Sequence, residues 1–234
     1  MKDMGAMLLS RRVVTSYPGS PTSEIAEAIR AIPASDRPFY FEFSVNEKVA
    51  TEVAYGASVN GHLSTVFFKS VGLNVAADTF VQLGLMELTG GMVVVLGDDP
   101  GANSSQNEQD NRHIAAMSYI PVLEPATPQE AYEMYREAAR LSRDRRMPIV
   151  LRLTTHLCHQ KQKVGFGSWS PAPPDTTPRF DGKGAGYIPL TATGSAASSR
   201  RDCRTSPSST HSRRCSASPT SSSSASCIPS RGAW

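Results

Sequence analysis

Three polar stretches in this chain carry residue types that could do chemistry. "SVNEK" (44–48) ends an aromatic run on Asn46-Glu47, just where a helical pattern begins. "YPGSPTSE" (17–24) is turn chemistry, and nothing in it is specific on its own. "GDDPGANSSQNEQDN" (97–111) is a long polar loop after the most apolar run in the chain, and loops of that length in compact domains are usually functional or mobile. Glu47 poses the sharpest question, because carboxylates are seldom buried without a partner. Either it opens a helix and faces water, or a cleft holds it for proton transfer. Asn46 beside it reads equally well as an ordinary helix start. His62 and His113 have no second histidine or carboxylate at ligand spacing, so no metal site is expected. The cysteines are Cys158, Cys203, Cys215 and Cys227, with no C-x-x-C pair. That makes both a metal cluster and a disulfide framework weak readings. The two commonest phosphate signatures, G-x-G-x-x-G and the Walker A loop, are also missing.

The elements that must position these loops alternate strictly. Strands are expected at 11–17, 38–45, 63–70, 91–99, 121–126 and 147–155, with helices at 22–32, 46–61, 72–88, 107–119 and 127–146. Thr22 or Ser23 is a candidate cap for the first helix. Gly61 closes the second, and Thr127-Pro128 gives the last a cap followed by proline at its first position. Strand–helix alternation of this kind predicts an α/β fold: a parallel sheet with helices on both faces. In such sheets ligands bind beyond the carboxyl ends of the strands, where all three polar loops fall.

Four segments in register, "TSYPGSPTSEI", "FSVNEKVATEVAYGAS", "FFKSVGLNVAADTF" and "GDDPGANSSQNEQDNR", resemble the pyrimidine-binding domain of thiamine-diphosphate-dependent 2-oxoacid:ferredoxin oxidoreductases. Within that family the similarity is greatest to indolepyruvate ferredoxin oxidoreductase alpha subunits, and it covers about residues 10 to 190. The resemblance implies that Glu47 hydrogen-bonds N1′ of the cofactor's aminopyrimidine, where a carboxyl promotes loss of the thiazolium C2 proton. Burial tunes such a group for the task, while the hard chemistry stays with the cofactor. It further implies that Pro18, Ser20 and Asn46 lie at the cofactor, and that the Ser20 hydroxyl is placed to donate to the oxoacid or to a developing oxyanion. Lys69, Asp98, Asp99, Asn107 and Gln109 match positions near the substrate and the facing subunit. The implied reaction consumes an arylpyruvate, CoA and oxidised ferredoxin. Two alternatives stay open: a subunit of a split thiamine-dependent decarboxylase, and a catalytically dead fragment that only docks to a related subunit.

The chain also departs from that pattern. Whole subunits of the family are far longer; their Mg²⁺- and diphosphate-binding domain and their iron–sulfur segment have no counterpart here. Both ions and clusters are therefore expected in a partner domain or subunit, in an oligomer. The expected organisation is an N-terminal remnant at 1–10, the pyrimidine-binding domain at 11–165, a Pro/Gly-rich linker at 166–194 and a Ser/Arg-rich tail at 195–234. That tail holds six Arg and one acid, Asp202, so the preceding residues carry 18 basic and 20 acidic side chains. The net charge of +3 therefore argues for neither a nucleic-acid nor a membrane partner. No signal peptide or membrane-spanning run is expected, and the cytoplasm is the expected location. The abrupt change of composition after 194 fits out-of-frame reading of a GC-rich gene. A downstream frame that fails to resume a family-like sequence would exclude that origin. The tail has too little apolar surface to offset its ordering entropy and is expected to be disordered. Truncation after Gly194 is therefore expected to leave the thermal midpoint within error; a large drop would show that the tail packs on the body.

Overall fold

Strand β4 (Met92–Asp98) is buried along its whole length and sits inside a six-stranded sheet. The computed structural model describes residues 12–37, 39–102 and 105–167. The expectations for the N-terminal remnant, for most of the linker and for the tail lie outside the described residues.

The other strands are β1 (Arg12–Ser16), β2 (Phe39–Phe43), β3 (Ser64–Lys69), β5 (Val122–Leu123) and β6 (Pro148–Thr154). Their order is β2-β1-β3-β4-β6-β5, and every pairing is parallel. Alternate residues of the sheet feed two cores. Val93 and Val95 pack with Ala26 and Ile29 of α1 (Ser23–Arg30), Tyr135 and Ala138 of α5 (Pro128–Arg145) and Leu157 of α6 (Thr155–His159). Val94 and Leu96 pack with Ala50 and Ala54 of α2 (Glu47–Val59), Leu73 and Phe80 of α3 (Gly72–Leu83) and Ala115 of α4 (Asn111–Met117). The sheet thus carries helices on both faces, as the alternation predicts. Among the described residues no helix is long and apolar enough to cross a membrane.

Several local expectations need correction. Thr22 stands at the cap position of α1, but its hydroxyl donates back to the Gly19 carbonyl at 2.8 Å and caps nothing. Helix α4 starts at Asn111 rather than 107, because Asp110 caps it and the preceding residues are held by side-chain contacts. Helix α3 stops at Leu83, short of 88. The strand expected at 121–126 is only two residues long, with prolines at 121 and 125 on either side. Thr154 caps the short helix α6, which the sequence pattern did not show. Packing continues past 165: the Phe166 ring meets Tyr132 edge-on at 5.2 Å.

Candidate functional site

The chain leaves β1 toward one face through α1 and leaves β3 toward the other through α3, so the direction of winding reverses between β1 and β3, the place where open parallel sheets bind ligands. Close glycine contacts hold the surrounding loops together. The Lys69 stem, at the end of β3, lies against Gly19; a Cβ there would come within 2.7 Å of Lys69 Cδ. Gly97, near the end of β4, leaves room for the loop after β1; a Cβ there would come within 2.5 Å of Thr22 Cγ2 and 3.1 Å of Pro21 Cδ. Gly72, at the start of α3, leaves room for Glu47 in the same way, with a would-be Cβ at 2.6 Å from Oε1.

Glu47 opens α2 and is only 7% exposed. Asn46 fixes the start of that helix, its side-chain oxygen accepting from the Val49 amide at 2.9 Å. The Thr51 hydroxyl donates to the Glu47 carbonyl at 2.7 Å. Among the described residues the Glu47 carboxylate has no hydrogen-bond or ion-pair partner. Lys48 points away, with Nζ at 2.6 Å from Asp78 Oδ2 on α3. That follows from helical geometry, which sends neighbouring residues to different faces. Two helix amino termini, of α2 and of α3, meet at this carboxylate, and their dipoles favour a negative charge there.

Lys69 likewise has no carboxylate partner among the described residues. Pro18 and Ser20 are exposed on the loop after β1. Ser20 lines an open groove of about 670 Å³ with Thr154, Thr155, His156 and His159. Glu47 is not among its lining residues, so Ser20 and Glu47 share the sheet edge but not this groove. A more enclosed apolar cavity of about 140 Å³ lies between α1, α5 and α6, away from Glu47.

The long loop is tied down by its own side chains. Asp98 is fully buried: Asn111 Nδ2 donates to its Oδ1 at 2.7 Å and the Arg152 guanidinium pairs with its Oδ2. Arg152 also reaches Glu124 Oε1 at 2.7 Å. Asp99 accepts from the Ser105 amide at 2.9 Å and from the Thr155 hydroxyl at 2.7 Å. Gln109 Nε2 donates to the Ser70 carbonyl at 3.3 Å, to Asn74 Oδ1 at 3.0 Å and to Asn111 Oδ1 at 2.7 Å. Asn107, exposed, donates to Gln109 at 3.3 Å. The residues expected on the substrate side therefore divide. The carboxylates of Asp98 and Asp99 are engaged inside the protein, while Lys69 has no carboxylate partner among the described residues. Asp110, the cap of α4, is held well below the usual carboxylate range by its hydrogen bonds from Arg112.

Arg152, Asn111, Ser70 and Gly72 were not singled out from the sequence. Only Arg152 left a signal there: a lone charge in the apolar run "PIVLRLT" must find a buried partner. Among the described residues no group of three His, Cys, Asp or Glu side chains could hold a metal ion. Burial pushes the Cys158 thiol up to about 12, so it carries little thiolate character near neutral pH.

Residues 4–186 match the family described as pyruvate flavodoxin/ferredoxin oxidoreductase, thiamine diphosphate-binding. The chain is 46% identical over 180 residues to "Indolepyruvate oxidoreductase subunit IorA" of Methanothermobacter thermautotrophicus, covering 77% of this chain and 29% of that protein. It is 45% identical over 163 residues to the protein of the same name from Pyrococcus abyssi, covering 70% of this chain and 25% of that one. The chain thus spans between a quarter and a third of the length of these relatives. A 2-oxoglutarate:ferredoxin oxidoreductase from Magnetococcus marinus superposes with a TM-score of 0.58 at 18% identity, over 67% of this chain and 28% of that one, a likeness of fold.

Proposed function

Because the chain belongs to the thiamine-diphosphate-binding family of pyruvate flavodoxin/ferredoxin oxidoreductases, we propose that it supplies the aminopyrimidine half of a thiamine site in an indolepyruvate:ferredoxin oxidoreductase. The observation that carries this reading is Glu47: a buried carboxylate without a cation, at the carboxyl edge of a parallel sheet, cradled by Gly72.

These residues fit the cofactor's aminopyrimidine. Bound thiamine diphosphate supplies the carbon nucleophile and the electron sink for decarboxylation. With the cofactor bound, Glu47 would share a proton with N1′, and its burial would strengthen that hydrogen bond by excluding water. Asn46 holds the first turn of α2 and so fixes where the carboxylate projects. The exposed Ser20 hydroxyl, at the same end of the sheet though not in one groove with Glu47, would donate to the oxygen of a 2-oxoacid that spans the two. Lys69, anchored by its stem on Gly19, offers an unpaired ammonium to the substrate's carboxylate. The diphosphate and its Mg²⁺ belong to a partner domain or subunit, as do the iron–sulfur clusters that pass electrons to ferredoxin. The names and identities of the relatives support this oxidoreductase over the split decarboxylase or docking-fragment alternatives.

The purified chain alone is expected to show no viologen reduction with indolepyruvate, CoA and thiamine diphosphate. Mixing it with the diphosphate-binding and cluster-bearing polypeptides is expected to give reduction that depends on all three. Viologen reduction by the chain by itself, or none in the complete mixture, would overturn the proposal.

A further inference from the structure

Gly72 opens α3 directly beside Glu47, and its lack of a side chain is not a backbone requirement. Its φ is not in the left-handed region, unlike that of Gly61, Gly91 and Gly101. It stands at the first helical position, where intrinsic preference favours alanine over glycine. What excludes a side chain is one neighbour. A Cβ on Gly72 would lie 2.6 Å from Glu47 Oε1, 2.7 Å from its Cγ and 3.0 Å from its Cδ. At Gly84 and Gly90 the obstructing atoms are backbone, the Ser118 carbonyl oxygen at 1.9 Å and the His62 carbonyl oxygen at 2.2 Å. Gly72 is different because the atoms it would strike are those of the site carboxylate.

The two helices cannot simply part to admit a methyl group. The buried Ala50 and Ala54 of α2 share one core with Leu73 and Ala76 of α3, so parting the helices would open that core. The Asn46 cap and the Thr51 hydroxyl fix the first turn of α2. An added Cβ must therefore move the Glu47 side chain. We propose that Gly72 is a positioning residue, whose missing side chain sets where the Glu47 carboxylate meets the cofactor. The contact itself stands on geometry; its chemical meaning rests on the assignment of Glu47 to N1′.

Four versions of the full chain test the contact without any activity: wild type, Gly72→Ala, Glu47→Ala and the double variant. Gly72→Ala is expected to lower the thermal midpoint when Glu47 is present. In the Glu47→Ala background it is expected to leave the midpoint unchanged or raise it. A single variant that fails to fold while the double variant folds would support the proposal in the same way. The same effect in both backgrounds, whether an equal loss or none, would overturn it, since Gly72 would then not bear on Glu47. In the assembled enzyme, Gly72→Ala is expected to lower kcat about 10²-fold, the penalty for misplacing a catalytic group by about 1 Å, with KM for the oxoacid within about twofold. Normal kcat in Gly72→Ala beside a slow Glu47→Gln would overturn the Gly72 proposal only. Normal kcat in both would remove the Glu47 assignment and the Gly72 proposal with it.

Discussion

Exchange of the thiazolium C2 proton is expected to slow by about 10²–10⁴-fold when Glu47→Gln is introduced into the assembled enzyme, the range lost when an acid–base group is removed. The amide keeps nearly the shape of the carboxylate and fits the same space beside Gly72. It cannot share a proton with N1′. Cofactor affinity is expected to fall much less, because under the proposed division of the site most of the binding energy comes from the diphosphate half. Proton exchange followed by NMR after quenching separates the two effects. Exchange at the wild-type rate would reduce Glu47 to a helix-start residue. The burial of the carboxylate and its lack of a cation would then need another cause.

The second large effect concerns stability and centres on Asp98. Its carboxylate is fully buried and pairs with the Arg152 guanidinium. Removing one member of a buried pair leaves the other charge without compensation, at a cost of about 3–5 kcal/mol. Arg152→Met is expected to destabilise the chain by that amount in urea unfolding at neutral pH. Asn111 would remain as a hydrogen-bond donor to Asp98 but carries no charge. Adding Asp98→Asn to Arg152→Met is expected to recover much of the loss, because the stranded charge is gone. A loss below about 1 kcal/mol for Arg152→Met, the scale of an exposed pair, would show that water reaches Asp98.

Much of the architecture was legible because local chemistry and tertiary context agree. The Val run of β4, the Thr127-Pro128 start of α5 and the Asn46 cap of α2 each state their element in a few residues. Expectations failed where a side chain found a partner that the sequence pattern could not name. The Thr22 hydroxyl turned back to Gly19, and residues 105–110 were held by Asp99 and Gln109 instead of continuing α4 downward. At the site, Glu47 stood out because a carboxylate followed an apolar run. Gly72 did not, since its meaning depends on which atom lies opposite. Asp98 looked like a ligand-facing acid until Arg152, on a strand far along the chain, took its second oxygen.

The strand order also dictates when the molecule can become whole. Every pairing is parallel, so each joins residues separated by a helical crossover: Val14 finds Thr65, and Val94 finds Val150. Such non-local contacts make folding slow, because loop closure must come before any reward. During synthesis β4 has only β3 beside it until α5 has been made and β6 has emerged. Asp98 spends that interval without Arg152, and the Val run of β4 spends it with one edge open. The nascent chain is therefore vulnerable to association between the appearance of β4 and of β6. Arrival of the last strand covers that edge and neutralises the buried charge in the same step.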